Sequence, residues 1–415
     1  MWKAHEVQQL NGGAERIRLS ARHQIVTESW NRVVAVPSIA YIPEKDRVLM
    51  LVSCDNPHQA VILSSDDLGA TWSEPRDVHT NESGEGDAGF GVGLVYVGEG
   101  KALLWTSRFW SGVDEGWRWV RWISDDWGQT WREGEHLLNR MPWDPPMVDR
   151  DLTTGEATKL WETAYVEDHS RDPWSQSYLR SSLDRGETWS DWAEVPEWAG
   201  TNEVGIIRAK NGDLVAVHRT DMPERFVERD PETGAEVRAL DLYEGMGVSI
   251  SSDEGITWSE VQKLFTWGRH HFSPVLLPDG DIVVSYASRR GYVDTPEGYP
   301  QFGVEAVVSH DHGRTWDLDR RYILAAWPGN RTDPAWFWAR CSQATSSVVL
   351  PDSSVLTAFG TGYRAAVPDD EPQRFSPRDV GLVNWRPNNE GLNDDRILSD
   401  APEDSDLRNR FVWEG

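Results

Sequence analysis

The chain has 415 residues and a formal net charge of -27, from 41 Lys and Arg against 68 Asp and Glu, with 24 Trp, 35 Gly and only two Cys. So many aromatics exclude a disordered chain, and the acidic surplus excludes the basic stripe that a nucleic-acid binder needs. No apolar run approaches the ~20 residues of a membrane-spanning helix, and Cys54 and Cys341 make neither a disulfide framework nor, without His partners, a metal site.

The start, MWKAHEVQQL, has no signal-peptide h-region, which fits a cytoplasmic chain and a trimmed secreted one equally; localisation and oligomeric state stay open. Strand-like runs begin at IRLSARHQIV (17–26) and VVAVPSIAYIP (33–43). From there an eight-residue pattern, Ser-x-Asp-x-Gly-x-Thr-Trp, recurs five times, closing at Trp72, Trp131, Trp189, Trp258 and Trp316. A period of 58 to 69 residues marks a repeat architecture. In each box the Asp (67, 126, 184, 253, 311) suits the backbone N–H groups of a tight turn. The Gly two places on supplies positive φ. The Thr is expected to open the outgoing strand, and the Trp to pack between repeats.

Between boxes, β-branched runs pair around turns, as in 206–219, 274–289 and 347–360. No segment holds a 3.6-residue apolar period. Each repeat therefore reads as a four-stranded antiparallel blade, and radial repetition of blades makes a β-propeller. Five boxes give five blades. A sixth is expected from 345–360 and VGLVNW (380–385), where NWRPNNEG replaces the box and the fourth strand comes from 17–26. The expected fold is all-β, one six-bladed propeller over 1–415 with an acidic tail at 390–415.

The boxes are similar to the Asp-box repeats of bacterial neuraminidases, and residues 25–390 resemble the sialidase superfamily of propeller glycosidases. The resemblance implies three Arg for a substrate carboxylate, a Tyr nucleophile activated by a Glu, and an Asp acid/base. TNEVGIIRAKNGDLVAVHR places Glu203 at the Glu and Arg219 at one Arg; Arg289 or Arg290 stands near the third. Asp55 in SCDNPH falls near the acid/base. Ala35 stands where the first Arg would be and Ala344 where the Tyr would be, which argues against Tyr-based chemistry.

Glycoside hydrolysis needs one protonated and one ionised carboxyl group. Expected catalytic groups are Glu203, Asp55 and the neighbouring His270 and His271, of which strand alternation sends one side chain to the axis and one into the blade. Expected substrate contacts are Arg219, Arg289, Arg340, Arg108, Asp144 and Tyr363, with Trp143, Phe272, Trp336, Phe337 and Trp338 as stacking surfaces. The three Arg around the axis suit an acidic terminal sugar. The expected function is a sialidase-like glycosidase acting on a glycan or small saccharide, without cofactor or metal. A non-catalytic carbohydrate-binding propeller and a polysaccharide lyase acting on uronates are the alternatives.

Overall fold

The computed structural model describes residues 1–388 apart from 11–15, 31, 33, 55–58, 83, 85, 111–115, 152, 169, 230, 232–235, 239–242, 290–301, 328–343 and 364–377. Its strands form antiparallel sheets with no helix long and apolar enough to cross a membrane among the described residues. Blade one holds Val34–Ile42, Arg47–Cys54, Gln59–Ser65 and Arg76–Asp77; blade two holds Gly91–Gly98, Lys101–Trp110, Gly116–Ser124 and Arg132–Leu137. Blade three holds Met147–Arg150, Ala157–Glu167, Ser175–Ser182 and Ala193–Ala199. Blade four holds Thr201–Arg208, Leu214–Thr220, Gly245–Ser251 and Gln262–Phe265. Blade five holds Arg269–Leu276, Ile282–Arg289, Phe302–Ser309 and Tyr322–Trp327.

The sixth unit is built from both ends of the chain. Thr345–Val349, Val355–Tyr363 and Arg378–Trp385 are completed by Arg16–Ile25, whose residues 22–25 pair with 384–381. An N-terminal strand that sequence reasoning missed, Lys3–Leu10, runs antiparallel to Arg16–Ile25. It also pairs Gln8 and Gln9 with Ile323 and Tyr322 of blade five, so units five and six share one nine-stranded sheet.

The first strands of the units meet around a ring. Val34–Ile42 touches both Gly91–Gly98 and Thr345–Val349, and Arg269–Leu276 touches both Thr201–Arg208 and Thr345–Val349. Small hydroxyls stitch the ring: Ile39 N–H donates to Ser346 Oγ (2.9 Å), Leu94 N–H to Ser38 Oγ (3.1 Å) and Ser347 N–H to Ser273 Oγ (2.8 Å). Blades two and three join through Val97, Leu103, Ile123 and Leu160, all buried. Apolar residues on both faces of the strands fill the spaces between neighbouring blades.

The box turns explain why the period is so regular. In the first, Asp67 Oδ1 accepts the Thr71 N–H (2.8 Å), Asp67 Oδ2 accepts the Thr71 hydroxyl (2.7 Å), and Ser65 Oγ accepts the Gly69 N–H (2.7 Å). The Asp–Thr and Ser–Gly bonds recur in the other four boxes. The Thr does not open the outgoing strand as expected, because its N–H and hydroxyl are both held by the box Asp. That strand starts only after the Trp, at Arg76 in blade one and Gln262 in blade four. Gly128 sits at φ 80°, and a Cβ there would come 2.5 Å from Leu49 Cδ1 of the preceding blade. Gly128→Ala therefore combines backbone strain with a clash against a fully buried side chain. It is expected to cost about 1–3 kcal/mol in chemical denaturation.

One box also carries a pH-dependent tie. His310 bonds Asp281 at 2.7 Å and Asp317 at 3.1 Å. Against the burial that disfavours its charge, these two carboxylates push the imidazole up to about 9. A folded-state value above the unfolded one gives stability that is full below pH ~6.5 and lost as pH rises through 9. The wild type is expected to lose about 2 kcal/mol between pH 6 and 10 that His310→Gln does not lose, less than the whole shift because solvent screens the turn. Denaturation midpoints of the two proteins at both pH values check this.

Candidate active site

At one end of the ring, the inner strands carry β-bulges whose central residues have left-handed backbones. These are Val36 (φ 50°), Gly93 (66°), Glu203 (43°) and His271 (52°), each inside a register break of its strand. A bulge re-aims a side chain, and strained non-glycine backbones cluster where a site is over-determined by its surroundings. Here the bulges of blades four and five bring His271 Nδ1 to 2.8 Å from Glu203 Oε2.

Glu203 is the centre of the group. It is 2% exposed, and Arg219, one strand outward in the same blade, donates to its Oε1. Arg219 is also paired with Glu244, so a single guanidinium holds two carboxylates. Burial raises the Glu203 carboxyl above the ordinary range, opposed by the charge and hydrogen bond of Arg219 and the charge of Arg289. His271 is held neutral: burial, then Arg289 and Arg219, keep it well below the usual imidazole value. Tyr165 is buried nearby with its hydroxyl on Met141 Sδ at 2.8 Å; burial and then the Glu203 charge push its phenol well up.

Asp144 faces this group from the entry to blade three. It is 6% exposed, and its Oδ2 is buried without a hydrogen-bond partner among the described residues. Burial first, then the charge of Glu203, hold its carboxyl well above the usual range, with Arg219 only partly opposing. Of the carboxyls at this site, Asp144 is the one whose surroundings most favour the protonated form. Room for it comes from Gly205, where a Cβ would stand 3.1 Å from the Phe272 ring and 3.5 Å from Asp144 Oδ1.

Asp144 and His271 line an axial cavity of about 440 Å³ whose walls also include Val36, Gly93, Trp143 and Ala344. Glu203 is not part of that wall and meets it through His271. Trp143 lies 5.5 Å from the His271 ring, centroid to centroid, and Phe272 lines the cavity beside them. Ala35 and Ala344 are both buried in one apolar cluster with Val36, Val92 and Trp105. The wall where the resemblance implied an Arg and a Tyr is thus apolar.

Of the expected residues, Glu203, His271, Asp144 and Arg219 come together, and Arg289 is close enough for its charge to act on Glu203 and His271. His270 is fully buried and does not line the cavity, but strict alternation is not the reason: the bulge at His271 interrupts it, and the two imidazole rings stand 4.5 Å apart, centroid to centroid. Arg108 instead belongs to a network on blade two, paired with Asp87 and, at 3.0 Å, with Glu133. Asp55, Arg340, Trp336, Phe337 and Trp338 lie outside the described residues, as do Arg290 and the tail 390–415, and the Tyr363 side chain is not described. Glu244 and Tyr165 escaped sequence reasoning, since neither sits in a motif and only folding brings them to Glu203. Among the described residues no group of three or more His, Cys, Asp or Glu could hold a metal ion.

Three solved structures place this geometry. The chain is similar to a protein of unknown function from Dyadobacter fermentans (16% identity, 88% of this chain and 98% of that one, TM-score 0.59). It is also similar to an α-L-arabinanase of Penicillium chrysogenum in complex with arabinobiose (15% identity, 85% and 93%, TM-score 0.53). A Hadza microbial sialidase matches at 14% identity over 85% of this chain and 66% of that one, TM-score 0.54. The fold is a sialidase-like β-propeller. Identity this low carries the fold alone. No family model and no curated protein matches the chain.

Proposed function

We propose that the chain, folded as one six-bladed propeller, is a glycoside hydrolase that removes a terminal sugar from a glycan, with Asp144 and Glu203 as its carboxyl pair. The observation that carries this reading is a buried carboxyl at the wall of an axial cavity, Asp144, held well above its ordinary range in part by the charge of Glu203, an Arg-paired carboxyl that sits directly behind the wall residue His271. Two carboxyl groups whose surroundings push their proton affinities apart divide acid and base work between them. Asp144 donates its proton to the glycosidic oxygen. Glu203, the more easily ionised because Arg219 touches it, takes a proton from the water that attacks the sugar carbon as the bond to the glycosidic oxygen breaks, with His271 Nδ1 2.8 Å away. Trp143 and Phe272 offer ring faces to the sugar.

Charge balance moves the expected sugar from acidic to uncharged. Arg219 and Arg289 are matched by Glu203 and Glu244, while burial disfavours the charged forms of both Asp144 and His271. No surplus cation is left among these groups to hold a substrate carboxylate.

The test is a screen of aryl arabinofuranosides, rhamnosides, uronides and sialosides, read by released phenol and by reducing sugar. Hydrolysis of a neutral glycoside is expected. An unsaturated product absorbing in the ultraviolet would show a lyase instead, and saccharide binding without any turnover would show a binding propeller.

A further inference from the structure

Outside the axis, between blades three and four, lies a second cavity of about 830 Å³, inside the roughly 300–1,000 Å³ range of small-molecule sites. Its walls come from residues 170–174, the turn around Gly200, and the segment after Thr220, with Lys263 on the far side. Asp221 ties these walls together. Its Oδ2 accepts the backbone N–H groups of Trp174 and Ser175, each at 3.2 Å, and its own N–H donates to the Gly200 carbonyl at 2.9 Å. The Gly200 N–H in turn donates to Ser175 O at 2.8 Å. Three segments of two blades are thus held in one hydrogen-bonded frame, a built cavity rather than a gap between loops.

The lining chemistry selects a ligand class. Arg171 and Lys263 are outnumbered by Asp172, Glu197, Asp221 and Glu224, a balance that disfavours phosphate, sulfate or another anion. Half-buried Trp174 offers an indole beside these polar groups and the Thr220 hydroxyl. An aromatic surface ringed by hydrogen-bonding groups of both signs suits a neutral polyhydroxylated molecule. The position adds a second argument. Thr201 and Thr220, paired across the sheet, both line this cavity, and the next pair along, Asn202 with Arg219, leads to Glu203. The two cavities share one strand: Thr201 lines this one, and Gly205 and Ile206 line the axial one.

We infer that this cavity is a second saccharide-binding site, holding the part of a glycan that continues beyond the sugar at the axis. The second half of that assignment rests on the glycosidase reading; the existence of a saccharide site does not. Titration calorimetry with arabinobiose, cellotriose, maltotriose and sialyllactose tests it on the full chain, with Trp174→Ala and Asp221→Asn as variants and thermal melts as the folding control. At least one of the three neutral saccharides is expected to bind, more tightly than sialyllactose, and Trp174→Ala to weaken that binding tenfold or more while hydrolysis of aryl monosaccharide glycosides stays unchanged. Loss of binding in folded Trp174→Ala by a chain that hydrolyses nothing would uphold the second site and sink the glycosidase reading. Binding unaltered in both variants, or no binding of any of the three neutral saccharides, overturns the inference.

Discussion

Glu203→Gln and Asp144→Asn are each expected to lower turnover of the best glycoside by about 10²–10⁴-fold, the usual contribution of a positioned acid or base. Both changes keep side-chain shape, and both remove a buried ionisable group whose charge is disfavoured by burial, so the variants should fold. The pH profile separates the two roles. Glu203 must be ionised, and its carboxyl lies above the ordinary range, so activity falls on the acid side at a higher pH than a solvated Glu would give. Asp144 must stay protonated, so activity falls on the alkaline side as its proton is lost. The residual activity of Glu203→Gln should lack the acid limb and that of Asp144→Asn the alkaline one. A full-rate Asp144→Asn enzyme with both limbs intact would remove Asp144 from the mechanism. Because the two groups interact, the limbs report the pair as well as its members.

The largest stability effect is expected far from the axis, at Glu162. This fully buried carboxylate in blade three accepts hydrogen bonds from Trp105 Nε1 (2.8 Å), from Arg121 on both oxygens (2.8 and 2.7 Å) and from Arg180 Nε (2.8 Å). Burial works against its charge, but Arg121 and Arg180 prevail and keep it below the ordinary Glu range. Glu162→Ala removes both hydrogen bonds from Arg121 to a carboxylate and leaves it the longer 3.5 Å pairing with Glu135, although Arg121 is 1% exposed and stacked 4.1 Å over the Trp105 ring. Breaking such a buried pair costs about 3–5 kcal/mol, while replacing both members by apolar residues is far milder. Glu162→Ala should therefore unfold at clearly lower denaturant, and adding Arg121→Met should recover much of the loss. The sign with pH follows from the depressed carboxyl. Its stabilisation is present above the unfolded Glu value of about 4.3 and is lost as pH falls through the folded one. Turnover per folded molecule should not change, since none of these side chains lines the axial cavity.

Much of the architecture was readable in the chain because it is local. A box turn is made by five residues bonding to one another, as Asp67 does with Thr71, so its geometry is written in consecutive letters. The period of the boxes then sets the period of the blades. Even the closure by the N-terminal strand followed from counting, since three strands near the C-terminus lacked a fourth. The box Thr was misread because a β-branched residue suits a strand, yet the nearer Asp claims its N–H first.

The site was readable only in part. Glu203 and Arg219 stood out because they flank one hairpin, sixteen residues apart and facing across two strands. Glu244 joins them through a loop, Asp144 from another blade, and His271 through a bulge; no spacing announces these meetings. Protonation was beyond the sequence altogether. Asp144 and Asp67 are the same residue, but burial and the charge of Glu203 raise the one, whose Oδ2 has no donor, while the hydrogen bonds of the turn lower the other against its own burial. The turn chemistry and its period determined that the chain is a repeating all-β protein. The choice of which carboxyl keeps its proton, and the cavity beside Trp174, belong to tertiary structure, because desolvation and charge coupling act through space and not along the chain.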